Sequence, residues 1–454
     1  MESLEKYHHI YFIGIGGIGM SALARYFHFK KIPVSGYDKT PSPLTDELIS
    51  SGIPVHFEDW GEKVLQEVKS PENTLIIFTP AVPHDLGELV ALRTNGYQVI
   101  KRAEALGIIT NHTKGLTVAG THGKTTTSTL LAHLLHETIG CNAFLGGISS
   151  NYRTNYLFSA DSPYTVIEAD EFDHSFLHLT PFASVITAID PDHLDIYGDA
   201  AHFQQGFQDF ANKISEDGFL IIHSGFHVTS KCRQYTYAVN QSADYEGSNL
   251  HYENGIFKFD IKTPKATYKN VELGVPGIHN AENALADFAI CEQLGFDMET
   301  LRPHFASFRG VQRRFDYHVK TEKLVYIDDY AHHPTEIKAL IDSVHLLYPK
   351  KHKLGIFQPH LYTRTRDFMD GFAEQLSRLD EVILLPIYPA RELPIEGITS
   401  EALLEKITCE DKKVLSKEAT IEYLKTIHEG IIMTIGAGNI DRLVPILTEN
   451  FKQQ

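Results

Sequence analysis

Cysteine is scarce in this 454-residue chain: Cys141, Cys232, Cys291 and Cys409 are the only four, far apart and without a Cys-x-x-Cys pair. Neither a zinc knuckle nor a disulfide framework is indicated, and reduced, mostly buried thiols are the default. No apolar run reaches the roughly 18 residues that a membrane span needs, so no insertion into a bilayer is expected. The amino-terminal Met1-Glu2-Ser3-Leu4-Glu5-Lys6-Tyr7 is too polar to begin a secretory signal and leads directly into a strand-like segment, which implies a cytoplasmic protein. Long Lys/Arg runs are missing too, and a formal net charge of −17 repels nucleic acid, so an anionic ligand must find a local positive site. Low-complexity tracts and short-period repeats are also missing.

What is present is the composition of an ordinary globular enzyme, with 43% hydrophobic residues spread along a chain long enough for about three domains. Short β-branched runs alternate with segments long enough for crossover helices, the pattern of an α/β fold. In the first hundred residues strands are expected at His9 to Gly14, Ile32 to Tyr37, Thr74 to Phe78 and Gln98 to Ile100. A second α/β region has strands at Gly115 to Ala119, Tyr164 to Glu168 and Ala183 to Thr187. Between about residues 217 and 275 the pattern turns irregular and rich in Gly, Asn and Asp, which suggests an antiparallel insertion. A third region has parallel-type strands at Lys323 to Asp329, Leu354 to Phe357, Glu381 to Leu385 and Ile431 to Gly436.

The most informative stretch is Val118-Ala119-Gly120-Thr121-His122-Gly123-Lys124-Thr125-Thr126, after a strand and before a helix expected over Thr127 to His136. Glycines there let backbone N–H groups face phosphate oxygens, a lysine adds a mobile positive charge, and a hydroxyl reaches Mg2+. Lys124 and Thr125 fill the last two roles. The glycine spacing is irregular, because Ala119 and Val118 stand where another glycine is usual. Glu168 ends a strand and opens the cluster Glu168-Ala169-Asp170-Glu171-Phe172-Asp173, which suits a hard cation beside a triphosphate or else forms a solvated acidic loop. His193, in Asp190-Pro191-Asp192-His193-Leu194-Asp195, is a second metal-ligand candidate or an ordinary loop histidine.

Gly14-Ile15-Gly16-Gly17-Ile18-Gly19 fits GxGxxG between strand and helix, with Asp38 at ribose-binding spacing. The same backbone physics serves NAD or any other diphosphate. Asn280 and Asn283 share a helix face, where they read a base edge or cap the helix. Arg313-Arg314-Phe315 and Asp328-Asp329-Tyr330-Ala331-His332-His333-Pro334 supply charges suited to closing over a triphosphate from a mobile domain.

The order of these motifs over essentially the whole chain resembles the Mur ligase family of peptidoglycan synthesis. The resemblance rests on Gly120 to Thr126, Glu168 to Glu171, Asp192 to Asp195, His279 to Asn283, Arg313 to Phe315 and Asp329 to Pro334. Gly14 to Ser21, Phe357-Gln358-Pro359-His360 and Thr363 to Asp367 are similar to the branch that adds L-alanine. The family implies three domains: a Rossmann-like UDP-sugar domain (1–109), a central P-loop ATPase domain with a parallel sheet and a smaller antiparallel one (110–317), and a Rossmann-like carboxyl-terminal domain for the amino acid (318–454). It implies that ATP phosphorylates the lactyl carboxylate of UDP-N-acetylmuramate and that L-alanine then attacks the acyl phosphate.

On this resemblance Gly14, Gly16, Gly17, Ile18, Gly19 and Asp38 bind the UDP-sugar. Gly120, Thr121, His122, Gly123, Lys124, Thr125 and Thr126, with Asn280, Asn283, Arg314 and Asp329, bind ATP. Thr125, Glu168 and His193 hold Mg2+, for which Mn2+ can substitute. Tyr330, His332 and Arg364 bound the amino-acid site, and Lys124, Glu168, His193, Arg314 and Asp329 carry the catalysis. Two departures stand out. Phe207 occupies the position where several branches carry a carbamylated lysine, which disfavours those adding D-glutamate or diaminopimelate. Leu361 replaces an arginine frequent in the alanine-adding branch, leaving Arg364 or Arg366 to recognise the carboxylate. The competing readings are a recycling ligase that attaches a preformed tripeptide to the same UDP-sugar, a folate polyglutamylating ligase, an NAD-dependent oxidoreductase, and a nucleotide-binding switch.

Overall fold

In the computed structural model, residues 6–68, 70–111, 113–191, 194–253, 256–390 and 392–453 are described. Among the described residues three sheets form, with five, ten and six strands. The first runs in the order Val55–His56, Val34–Tyr37, His9–Ile13, Thr74–Phe78, Gln98–Lys101, all parallel. The order reverses beside His9–Ile13, and a ligand crevice opens at such a switch point in doubly wound sheets. His9–Ile13 is buried on both faces, as a central parallel strand must be. It feeds Gly14, whose φ of 86° spares the turn the cost of a Cβ, and the helix Ile18–Phe29 follows.

In the second sheet the strand Lys114–Ala119 lies between Ala183–Ile186 and Tyr164–Glu168, parallel to both. Parallel alignment brings the carboxyl ends of all three to one edge, and there the phosphate loop, Glu168 and the segment Thr187 to Asp190 emerge. The helix Lys124–His136 carries the loop's last residues. The irregular region joins this same sheet. Phe219–His223 pairs parallel with Ala183–Ile186, Arg233–Val239 with Phe219–His223, and Tyr245–Gly247 with Tyr237–Val239. Over residues 219–247 the expected antiparallel insertion is instead a parallel extension, while the neighbouring strands Ile256–Lys262 and Thr267–Leu273, joined by a four-residue turn closed by Thr263 N–H to the Ala266 carbonyl, are antiparallel as expected. Turn-rich composition marks where the chain bends and carries no information on strand direction.

Residues 1–249, 259–273 and 282–309 form one compact unit, and residues 250–258, 274–281 and 310–454 a second. Within the first, one apolar core runs from Ile10, Phe12 and Leu23 through Phe144, Ile167 and Ile186 to Phe203, Phe207 and Phe210. The first two sheets therefore share buried surface, each fully buried Leu, Ile or Phe contributing about 1.5–3 kcal/mol. The second unit holds the third sheet, Asp316–Lys320, Leu324–Asp329, Gly430–Ile435, Lys353–Phe357, Glu381–Leu384, Asp411–Val414, parallel except for its first strand. Separate apolar clusters cover its two faces. Cys141, Cys232 and Cys291 are buried and all four cysteines are free thiols. Among the described residues no helix is long and apolar enough to cross a membrane.

Candidate active site

The phosphate loop is shaped by close backbone approaches. Gly120 has φ 135°, and a Cβ there would lie 2.1 Å from Thr187 Oγ1. Gly123 has φ 80°, and a Cβ there would lie 2.7 Å from Asn283 Oδ1. Glycine is thus required at 120 and 123 by two neighbours, Thr187 and Asn283, that leave room only for hydrogen. Thr121 Oγ1 donates to the Asp190 carbonyl at 2.8 Å, the Thr187 hydroxyl donates to the His122 carbonyl, and His122 Nε2 lies 3.8 Å from Asp190 Oδ2. Lys124, Thr125 and Thr126 form the first turn of the following helix, where N–H groups and the helix dipole favour an anion.

Lys124 Nζ donates to the Gly120 carbonyl at 2.6 Å and to Glu171 Oε1 at 2.8 Å. Burial alone would depress the Lys124 pKa, but the charges of Glu171, Asp170 and Glu168 together outweigh it and raise the pKa. Lys124 is therefore a firmly charged ammonium in a largely dry setting. Glu168, at the strand end, accepts Gly146 N–H at Oε2 (3.1 Å). His193 and the neighbouring Asp192 lie outside the described residues. Phe207 is fully buried, edge-to-face with Phe176 and tilted against Phe203. This aromatic packing occupies the place of the other branches' lysine.

The amino-terminal glycine loop is a separate site. Asp38 Oδ2 accepts Gly16 N–H at 2.8 Å and its Oδ1 accepts Thr40 N–H at 3.2 Å. A Cβ on Gly19 would lie 2.4 Å from Arg102 Nη1, so a guanidinium rests directly on the loop, and Arg102 also pairs with Asp170 at 3.4 Å. No motif signalled Arg102, and Glu171 stood out only as one member of the acidic cluster, because the contact of each is with residues distant in sequence. Of the two asparagines, Asn280 donates to the Pro276 carbonyl at 2.7 Å, bracing the turn before its helix, and Asn283 abuts Gly123 of the phosphate loop.

In the second unit the adjacent arginines have different tasks. Arg313 is committed to Asp328 Oδ2 (3.2 Å) and the Gly436 carbonyl (2.7 Å). Arg314 makes a looser 3.7 Å approach to Glu336, and both guanidiniums lie 5.0 Å from the Tyr330 ring centroid. Buried Asp329 accepts the N–H groups of Phe315 (2.7 Å) and Ala331 (2.8 Å). Burial pushes its carboxyl up to about 6, with Arg314 and the two N–H donors opposing the shift. Burial also lowers the His332 pKa, against the pull of Glu336, and brings His360 down to about 4 with help from Arg364. Both rings are neutral at pH 7.

Arg364 Nη1 lies 3.4 Å from His360 Nδ1, and the His332 and His360 rings are 6.4 Å apart, so Arg364, His360 and His332 form one group. Arg366 instead pairs with its exposed neighbour Asp367. Leu361 sits at φ 69°, a region costly for a branched side chain that the surrounding structure must hold in place. Glu336, which accepts His332 N–H at 2.9 Å, is a further member that no motif signalled.

Three family models match in succession: the Mur ligase family catalytic domain over residues 9–114, the Mur ligase middle domain over 118–291, and the Mur ligase glutamate ligase domain over 313–438. The chain is 52% identical to UDP-N-acetylmuramate--L-alanine ligase of Porphyromonas gingivalis over 96% of its own length and 97% of that protein's. Its fold is similar to the crystal structure of the UDP-N-acetylmuramate-alanine ligase of Thermotoga maritima, with a TM-score of 0.83, 28% identity, and coverage of 98% of this chain and 99% of that one. A murein peptide ligase from Psychrobacter arcticus shares the fold at a TM-score of 0.69 and 21% identity, over 98% and 99% of the two chains. With its phosphate loop, acidic strand end and arginine–histidine group each inside a matching family domain, and a relative more than half identical along nearly the full length, this chain belongs to the Mur ligase family.

Proposed function

We propose that the chain is an ATP-dependent ligase that joins L-alanine to the lactyl carboxylate of UDP-N-acetylmuramate in peptidoglycan precursor synthesis, acting in the cytoplasm. One observation supports the choice of amino acid above the others: 52% identity over 96% of the chain to a ligase of that name. The three-part division at 1–109, 110–317 and 318–454 assigns one substrate to each part.

A carboxylate repels an approaching amine electronically and has no good leaving group. Transfer of the γ-phosphoryl group from ATP to a lactyl oxygen forms an acyl phosphate and releases ADP. Attack by the neutral amine of L-alanine on the carbonyl carbon forms the amide, phosphate departs with its electron pair, and the amine loses one proton. Lys124 steadies the β- and γ-phosphates with the N–H groups of Gly120 to Thr126, a preorganised arrangement that needs little rearrangement during transfer. Asn280 and Asn283 serve the adenine end, and Arg314 and Asp329 the nucleotide from the carboxyl-terminal part. Gly14, Gly16, Gly17, Ile18 and Gly19 hold the diphosphate of the UDP-sugar, with Asp38 near its ribose and the Arg102 charge beside it. Arg364 pairs with the L-alanine carboxylate, bounded by Tyr330 and neutral His332.

The Thr125 hydroxyl and Glu168 carboxylate offer only oxygen donors, the set that suits Mg2+, and His193 adds a candidate for a second ion. Among the described residues no group of three or more His, Cys, Asp or Glu side chains is arranged to hold a metal alone. The donor pair of Thr125 and Glu168 suits an ion that takes its remaining ligands from phosphate oxygens and water. When bound, Mg2+, or Mn2+ in its place, neutralises charge on the transferring phosphoryl group. An ADP-release assay with UDP-N-acetylmuramate and, in turn, L-alanine, glycine, L-serine and the murein tripeptide tests the assignment. Turnover is expected to be greatest with L-alanine, and turnover with the tripeptide alone overturns it in favour of the recycling reaction.

A further inference from the structure

A short antiparallel pair, Asn142–Phe144 with Tyr156–Leu157, carries a loop from Leu145 to Asn155 that belongs to none of the phosphate, metal or glycine motifs. The loop closes on itself through Leu145 N–H to the Asn155 carbonyl, Ser149 N–H to the Thr154 carbonyl and Arg153 N–H to the Ser149 carbonyl. Its first end meets the catalytic edge of the central sheet. Gly146 N–H donates to Glu168 Oε2, and a Cβ at Gly146 would lie 2.1 Å from that oxygen.

Its other end meets the amino-terminal glycine loop. Asn155 is fully buried, and its Nδ2 donates to the Ile18 carbonyl at 2.5 Å and to Ser21 Oγ at 2.9 Å. Ile18 belongs to the glycine run itself and opens the helix Ile18–Phe29. That helix packs on the strand pair through aromatic rings, Tyr26 against Phe144 and Tyr156, and Phe29 against Phe158.

The middle of the loop is pinned as well. Asn151 Nδ2 donates to the Ser307 carbonyl (2.9 Å) while its Oδ1 accepts Arg309 N–H (2.8 Å). The Tyr152 hydroxyl lies 2.6 Å from both His133 Nδ1 and Glu137 Oε1. A loop held at its start, middle and end transmits position instead of absorbing it.

We propose that Asn155 is a positioning residue that sets the amino-terminal glycine loop, and with it the bound UDP-sugar, in fixed register with Glu168 and the phosphate loop. The proposal rests on the assignment of the UDP-sugar to Gly14–Gly19. Asn155 Nδ2 is committed to the Ile18 carbonyl and Ser21 Oγ, so the residue acts through the glycine loop. Its effect is on the separation of lactyl carboxylate and γ-phosphate, where a misplacement of about 1 Å costs roughly 100-fold in rate.

The test compares wild type with Asn155→Asp, which keeps size but turns an acceptor toward the Ile18 carbonyl, and with Ser21→Ala, which removes one of the two acceptors. Kinetics with UDP-N-acetylmuramate, ATP and L-alanine are measured beside calorimetric binding of UDP alone and of ADP. Asn155→Asp is expected to lower kcat about 10–100-fold, with the KM for ATP and the affinity for ADP within two-fold of wild type, and Ser21→Ala to lower kcat by less. A wild-type kcat in Asn155→Asp overturns the proposal, as does loss of ADP affinity in parallel with kcat, the pattern of mere destabilisation. If Asn155→Asp does not fold, Asn155→Ser is judged by the same two criteria. Failure of the wild-type protein to bind UDP refutes the underlying assignment instead and is seen before any variant is made.

Discussion

Arg313 and Arg314 are adjacent in sequence, yet the structure separates their roles. Arg313 neutralises the buried Asp328 and bonds to the Gly436 carbonyl, so Arg313→Ala is expected to destabilise the carboxyl-terminal unit by about 2–3 kcal/mol in chemical denaturation, since it leaves a buried charge unpaired. Arg314→Ala is expected to cost under about 1 kcal/mol, because its 3.7 Å approach to Glu336 is loose, while kcat falls about 100-fold or more. Equal stability losses in the two variants contradict this division. Asp329 adds a pH dependence. Its carboxyl is raised to about 6 by burial, so its ionised form, proposed to act beside the nucleotide, is lost as pH falls through 6. An acid limb in kcat/KM near pH 6 is expected, and it should disappear from the residual activity of Asp329→Asn. The linked stability has the opposite sense: the fold favours protonated Asp329, so this group's contribution declines as pH rises from about 4 to about 6. Lys124 and Asp329 were legible from local motif and strand end. Arg102, Asn155 and Glu336 were not, nor was the pairing of Glu171 with Lys124, since each depends on a partner that only the fold brings near.

At the scale of elements, strands announced by β-branched runs lie where the sequence placed them. Thr74–Phe78 and Tyr164–Glu168 match at both ends, because a strand buried on both faces has few polar residues to blur its limits. The pairing of residues 219–247 was hidden, since strand direction depends on which neighbour has a free edge. The helix Ile278–Gln293 shows a further feature invisible to periodicity. Asp287 is fully buried within it, and among the described residues neither carboxyl oxygen has a hydrogen-bond partner. Burial raises its pKa well above the usual range, so it is protonated in the fold. Unfolding releases its proton once pH exceeds about 4, and stability should then fall by up to about 1.4 kcal/mol per pH unit from this group. Asp287→Asn is expected to flatten the decline that begins above about pH 4 and to raise the melting temperature within it. Parallel pH profiles for variant and wild type contradict that expectation.

For the whole molecule, three sheets resolve into two compact units because the first two share one apolar core. Three α/β regions were legible from alternation and spacing. The shared core was not, since it arises from apolar residues of distant segments, such as Leu23, Phe144 and Ile167, meeting in one cluster. The arrangement suits a reaction in which a sugar carboxylate must stay in register with ATP while a third substrate enters. In the proposed reaction phosphate is delivered to a carboxylate and not to water or a hydroxyl. Its most direct test uses UDP-N-acetylmuramate with both lactyl carboxylate oxygens labelled with 18O, turned over with ATP and L-alanine, and mass analysis of the phosphate released. One labelled oxygen is expected in each phosphate and the other in the new amide; unlabelled phosphate accompanying amide formation rules out transfer to the carboxylate.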